Sequence, residues 1–193
     1  MQAGASKPII SAQDYLRLER EAPFKSEYVH GEIFAMAGGT VNHHTLVGNF
    51  YGLLWQQLAG RSCRAFTSDM KVRCDFWDSF VYPDISAACE PLTFFDEQRD
   101  AFSNPSLVVE VLSKGTEAYD RGEKFRLYRM IPSLVEYVLV SQRQPLVEVF
   151  RRIGESQWQL ETFDAPESVF HLHSVDVEIS LLQLIANVEF TTE

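Results

Sequence analysis

The sequence predicts a mixed α/β fold, in which a twisted mixed β-sheet is flanked by helices. Three observations predict it. The first is the stretch 105–130, PSLVVEVLSKGTEAYDRGEKFRLYRM. Its short, β-branched, near-continuous apolar run suits a strand covered on both faces, and a helical pattern follows directly. The second is the segment 41–58, where Val41, Leu46, Val47, Phe50, Leu53, Leu54 and Leu58 fall at three- and four-residue steps. The third is a series of strand-length apolar runs over 136–173, separated by polar turns.

In chain order, residues 1–10 read as a loose leader, and 11–193 as a single domain. Ser11 is placed to cap a short helix carrying Tyr15, Leu16 and Leu18, which ends before Pro23. SEYVHGEIFAMAGG, at 26–39, predicts a hairpin turning at His30-Gly31. The long helix follows and closes at Gly60. A second hairpin or bent strand is expected over 64–74, and a further strand over 80–88. Pro83 lacks a donor, so that strand is expected to lie at an edge or to be irregular there. The polar connection 89–104 reads as a functional or mobile loop, with Phe94, Phe95 and Phe102 assigned to core. The apolar run bears Glu110, and Thr116 is placed to cap the helix carrying Asp120 and Lys124. Strand, turn, strand is expected over 136–152, with further strands at 158–163 and 169–173. A terminal helix is expected over 179–188, begun by Ser180.

Composition narrows the function. The apolar fraction of 46% and charged fraction of 23% are those of a globular protein. No apolar run reaches membrane-spanning length, and the first ten residues lack a signal-peptide pattern, so a cytoplasmic protein is expected. Cys63, Cys74 and Cys89 are widely spaced without a CxxC pair, which reads as three reduced thiols and no zinc site. The net charge of −10 opposes a broad electrostatic grip on nucleic acid and favours a site that collects divalent cations. Phosphate-binding glycine loops and a GxSxG elbow are absent from the sequence.

The chemistry concentrates in a few acids. Glu110 sits within a covered strand, where a carboxylate must find a partner or a proton. Asp84 lies on another expected strand. If the two strands are neighbours, both carboxylates face one side and repel unless a cation sits between them. Mg²⁺ suits one or two carboxylates plus a phosphate, because it keeps several waters. Asp120 and Lys124 share a helix face at i, i+4, and the bland alternative for that pair is a solvated salt bridge.

Pro83-Asp84, then Glu110 in VVEVLS, then YDRGEKFRLYR and EYVLV, resemble the putative restriction endonuclease family of the PD-(D/E)xK nuclease superfamily, formerly a family of unknown function. SEYVHGEIFAMAGG and NHHTLVGN are similar to it too, so the resemblance runs over nearly the whole chain. It implies a restriction-endonuclease-like core with extra N-terminal and C-terminal hairpins. It also implies metal-dependent phosphodiester hydrolysis, with Asp84, Glu110 and the Val111 carbonyl as ligands of Mg²⁺, or of Mn²⁺. One departure stands out: the superfamily's lysine position, two residues after the acid, holds Leu112. The resemblance moves that role to Lys124 on the following helix, with Lys71 as a rival cation. Glu27 and His43 match family positions near the same pocket, Glu27 as an additional ligand or as a group supporting the ligands from behind, and His43 as a base or phosphate contact. Capping or packing is the alternative for His43. Asp69 matches more weakly, and His171 and His173 are too isolated to assign.

The expectation is therefore a Mg²⁺-dependent DNA endonuclease acting as a homodimer. The catalytic set is Asp84, Glu110, Lys124, Asp120, Glu27 and His43. The alternative is a nuclease-fold protein that no longer cuts and acts as a binding or assembly module. A carboxylate-pair hydrolase of another substrate is a third reading. A basic rim drawn from Lys71, Arg73, Arg121 and Arg126 would separate the first from the third.

Overall fold

The computed structural model describes residues 10–36 and 38–190, so the leader expected at 1–10 lies outside the described residues except for Ile10. Helix α1, Ala12–Glu21, is capped by Ser11, whose hydroxyl accepts from the Asp14 amide. Strands β1, Ser26–Val29, and β2, Glu32–Ala35, form the expected hairpin. His30 (φ 52°) and Gly31 (φ 85°) make its two-residue turn; both angles are positive, as a primed hairpin turn requires. Helix α2, Val41–Leu58, buries Leu46, Phe50, Leu54 and Leu58, a stripe repeating every four residues.

Apart from a C-terminal hairpin, the strands divide between two sheets. One has the order β2-β1-β5-β4-β7, with β4 Lys71–Cys74, β5 Ser79–Val81 and β7 Ala101–Phe102. The other has the order β11-β10-β9-β8-β6-β3. Its strands are β3 Cys63–Thr67, β6 Ile85–Cys89, β8 Leu107–Leu112, β9 Glu136–Ser141, β10 Val147–Arg152 and β11 Trp158–Phe163. Both sheets are mixed: β8 runs parallel to β9 and β4 parallel to β7, while the other pairs are antiparallel. A C-terminal hairpin, β12 Val169–Leu172 and β13 Val177–Ser180, precedes helix α5, Leu181–Leu184, capped by Ser180.

Several expectations are corrected. The segment 64–74 is no hairpin, because β3 and β4 belong to different sheets. The strand expected over 80–88 is broken at Tyr82-Pro83-Asp84, and its halves β5 and β6 also lie in different sheets, neither at an edge. Proline cannot donate to a ladder, so the break falls where the sequence removes a hydrogen bond. The loop 89–104 contributes β7, and Phe102 is fully buried, as the core assignment requires. Residues 177–180 extend as β13, so the terminal helix is shorter than expected. Cys63 and Cys89, opposed in the β3–β6 register, form a disulfide, and only Cys74 is a free, buried thiol. Two reduced thiols are thereby excluded.

The layers follow from strand alternation. Leu107, Val109 and Val111 of β8 pack on the side of α2, α5 and the C-terminal hairpin. Val108 and Leu112 face the other sheet, against Val72, Val81, Leu127 and Tyr128. Glu110 belongs to this second set, and so is buried between the two sheets. The outer face of the five-stranded sheet is covered by α1 through Tyr15, Leu16, Tyr28 and Phe80.

Candidate active site

After β8 the chain turns at Ser113, whose hydroxyl accepts from the Thr116 amide. Thr116 itself makes no side-chain cap. The helix then forms in three continuous pieces: α3, Glu117–Tyr119; a π-helical turn, Asp120–Lys124; and α4, Phe125–Tyr128. Such widened turns are recurrent at functional sites. Here Asp120 and Lys124 are both buried, at 3% and 6% exposure, which rules out the solvated salt bridge.

Lys124 is the hub of the site. Its Nζ donates to Glu110 Oε1 at 3.0 Å and lies 3.2 Å from Glu27 Oε1 and 3.8 Å from Asp120 Oδ1. It also donates to the Tyr82 carbonyl at 3.3 Å. Glu27 arrives from β1 in the other sheet, and its Oε1 accepts the Tyr82 amide at 3.0 Å. The residue before Pro83 therefore serves both partners of one ion pair.

Asp84 stands beside Glu110 because β6 and β8 pair antiparallel with Ile85 opposite Val109. The Asp84 amide donates to Glu110 Oε2 at 3.3 Å, and Asp84 Oδ2 accepts the Val111 amide at 2.7 Å. The carboxylate thus takes over a ladder position where the strand has broken. His43, in the first turn of α2, places Nε2 3.2 Å from Asp84 Oδ2. Its Nδ1 is buried without a hydrogen-bond partner among the described residues. Gly39 leaves the room for that ring: a Cβ there would stand 2.7 Å from His43 Nδ1.

The electrostatics follow from this crowding. Burial pushes the Glu110 carboxyl well above its usual range; Lys124 opposes the shift, and the carboxylates Asp120, Asp84 and Glu27 add to it. Asp120 is raised by burial as well, again against the pull of Lys124. Burial would lower the Lys124 ammonium, but Glu110, Glu27, Asp120 and Asp84 outweigh it and hold the group charged. Burial lowers His43, but Asp84, with help from Asp120 and the Val111 backbone, outweighs it and gives a net upward shift. Four carboxylates therefore surround one ammonium, and the site has room for a further positive charge.

Among the described residues no three His, Cys, Asp or Glu side chains converge on one metal position. Two adjacent carboxylates and a backbone carbonyl still fit a hard cation that keeps most of its water, as Mg²⁺ does. Sulfur or imidazole chemistry has no comparable set here. A cavity of about 630 Å³ opens over the cluster, lined by Asp84, Glu110, Asp120, Lys124, His43 and Glu27 together with walls from β2 and the loop 113–116.

The structure thus brings together Asp84, Glu110, Lys124, Asp120, Glu27, His43 and Val111. It does not bring Lys71, which is buried against Glu19 and Asp100 at 3.2 and 3.0 Å. Asp69 is exposed and pairs with Lys25. His171 and His173 meet each other near Asp176 on the C-terminal hairpin. The basic rim is corrected too. Arg73 is held by Asp75 and Asp78, Arg121 by Glu117 and Glu148, and Arg126 by Glu123. Each guanidinium has found an acid that is remote in sequence or on the same turn, so the rim carries little free positive charge.

Two tyrosines were not anticipated. Tyr128 donates to Glu110 Oε1 at 3.1 Å, and Tyr119 donates to Glu27 Oε2 at 3.2 Å. They flank Lys124 on one helix face, at i+4 and i−5 across the π-helical turn, and that spacing is their only sequence signal.

Two curated relatives from Synechocystis are both described as uncharacterized proteins. One, sll1609, is 38% identical over 83% of this chain and 90% of its own length; the other, slr1290, is 36% identical over 83% of each. The fold matches a crystal structure described as a putative nuclease belonging to DUF820 from Anabaena variabilis. Its TM-score is 0.74 at 19% identity, covering 92% of this chain and 98% of that one. The model of one family, described as Uma2, putative restriction endonuclease, matches residues 12–184, so the chain belongs to that family.

Proposed function

We propose that the protein is a Mg²⁺- or Mn²⁺-dependent endonuclease that hydrolyses phosphodiester bonds in DNA. Asp84, Glu110 and the Val111 carbonyl would hold the cation. The observation that carries this reading is the cluster of buried carboxylates around Lys124: burial first, then the neighbouring acids, raises the Glu110 and Asp120 carboxyls, and a cation would relieve it. The family's description supports the reaction class.

A divalent ion held by Asp84, Glu110 and the Val111 carbonyl would supply water activation and neutralise charge on the phosphate. The chain's own groups do the rest. Lys124, fixed by Glu110, Glu27 and Asp120, presents an ammonium that steadies the phosphate and the attacking water. Glu27 and Asp120 hold Lys124 in place without needing to touch substrate. His43, anchored on Asp84, contacts a phosphate oxygen or relays a proton. On this reading a helix-borne lysine would take the role that the resemblance gives to a strand lysine, since the position of the ammonium matters more than that of its Cα. Residues 11–193 would act as one domain, in the cytoplasm, and cutting both strands of a duplex would call for a homodimer.

One observation favours a second reading, a binding module that no longer cuts: the arginines near the cavity are already spent on acids. Plasmid nicking under Mg²⁺ and Mn²⁺ separates the two. Nicking by the wild type, lost in Glu110→Ala and in Lys124→Ala, is the expected result. Absence of nicking under both metals, with no metal binding by calorimetry, would leave the binding module.

A further inference from the structure

The cavity has a wall that metal and phosphate chemistry do not explain. In the β1–β2 register Phe34 lies directly opposite Glu27, so both side chains belong to one face of the hairpin. Glu27 is buried in the charge cluster, whereas Phe34 is 49% exposed and lines the cavity. Met36 and Val29 continue that apolar wall. Strand β2 is an edge strand exposed along its whole length, so nothing in the described chain covers Phe34. A rigid strand thus presents an aromatic face in water beside the carboxylates. Bases inside a duplex are already stacked on each other, but an unpaired base has a face to offer such a ring.

The charges point the same way. Among the described residues Lys114 has no acidic partner, and it sits between Ser113 and Gly115, both of which line the cavity. Arg143, also without an acidic partner among the described residues, follows the end of β9 beside the end of β8, where Leu112 and Ser141 are paired. Proteins that grip a duplex neutralise about 6–10 phosphates. Two cations on a chain of net charge −10 cannot do that, but they suffice for the one or two phosphates next to a single unpaired nucleotide. The cavity, at about 630 Å³, lies within the size range of small-ligand pockets.

We propose that the site takes single-stranded DNA, as an overhang, loop or frayed end, with one base stacked on Phe34 and a flanking phosphate held by Lys114. This rests on the nuclease reading and names its substrate. A single-strand substrate also removes the need for two sites facing a duplex.

The test uses the full chain and fluorescein-labelled 12-nucleotide DNA, single-stranded, blunt duplex, or duplex with an overhang. Binding is read by anisotropy in Ca²⁺, which takes the same oxygen donors as Mg²⁺, and cleavage is read in Mg²⁺. The expected result is single-strand and overhang binding and cleavage at least about tenfold stronger than for the blunt duplex. Phe34→Ala should weaken single-strand binding roughly 5- to 150-fold, with Phe34→Trp restoring it. The slope of log affinity against log salt should be about −1.4 and fall by about 0.7 in Lys114→Ala. Phe34 and Lys114 are exposed, so both variants should fold. Equal cleavage of the blunt duplex, or unchanged binding by Phe34→Ala, overturns the substrate assignment and leaves the nuclease reading standing. No binding and no cleavage of any of the three DNAs overturns both.

Discussion

Replacing Lys124 with methionine removes a buried charge and keeps much of the side-chain volume. Its ammonium stands 3.0 Å from Glu110, 3.2 Å from Glu27 and 3.8 Å from Asp120. At an effective dielectric of about 20, one such contact amounts to roughly 4–6 kcal/mol before the cost of burying the ions is subtracted. Removing one partner of a buried ion pair leaves a net loss of about 3–5 kcal/mol. In a domain of this size that lowers the midpoint of thermal unfolding by roughly 6–20 °C. The loss depends on pH in a definite direction. Without the lysine, Glu110 and its neighbours hold protons more tightly in the folded than in the unfolded state. Stability is then present below the unfolded carboxyl range, near pH 4, and is lost as pH rises through the raised folded value. The variant should therefore lie nearest to wild type at about pH 5 and furthest from it at about pH 8. Mg²⁺ should stabilise it at least as much as it stabilises wild type. Urea unfolding at both pH values, with and without metal, measures this. A loss below about 1 kcal/mol at pH 8, or one that grows toward low pH, would refute the reasoning and return Lys124 to a solvated helix pair.

Other consequences follow from the same geometry. Because burial and neighbouring carboxylates raise Glu110 and Asp120, Mg²⁺ should displace protons on binding. Its affinity should rise with pH, and calorimetry in buffers of different ionisation enthalpy should show proton release. Asp84→Asn removes the chief group raising His43 and leaves burial in force, so NMR titration of the metal-free protein should find the His43 pKa lowered. Gly39→Ala would push a methyl against the His43 ring, and should lower the same pKa and reduce nicking by about tenfold or more, with little change in unfolding midpoint. Glu110→Gln should reduce nicking by at least about 10²-fold in Mg²⁺, measured on supercoiled plasmid at matched protein concentration.

Helix α2 and the β1–β2 hairpin were legible because local signals define them: a four-residue apolar repeat in one, a two-residue turn with glycine in the other. The strand bearing Glu110 was legible because its residues are buried on both faces. The division into two sheets was not. Alternation tells which residues share a face, but it carries no label for which sheet a strand joins, so 64–74 reads as one hairpin or bent strand and 80–88 as one strand. Pro83 marked the break without revealing that the chain changes sheets there. Asp84, Glu110 and Lys124 could be named from their motif. The fate of Arg73, Arg121 and Arg126 could not, because partners such as Glu148 are brought close only by the fold.

Tyr82 stands where the chain crosses from β5 in one sheet to β6 in the other, and its backbone gives the amide to Glu27 and the carbonyl to Lys124. The charge cluster is therefore also a rivet. The five-stranded sheet cannot swing away from the six-stranded one at that edge without pulling Glu27 off the ammonium and leaving charges bare in the gap. Whatever presses on Phe34 presses on the strand next to Glu27, so the outer hairpin and the innermost lysine share one mechanical linkage.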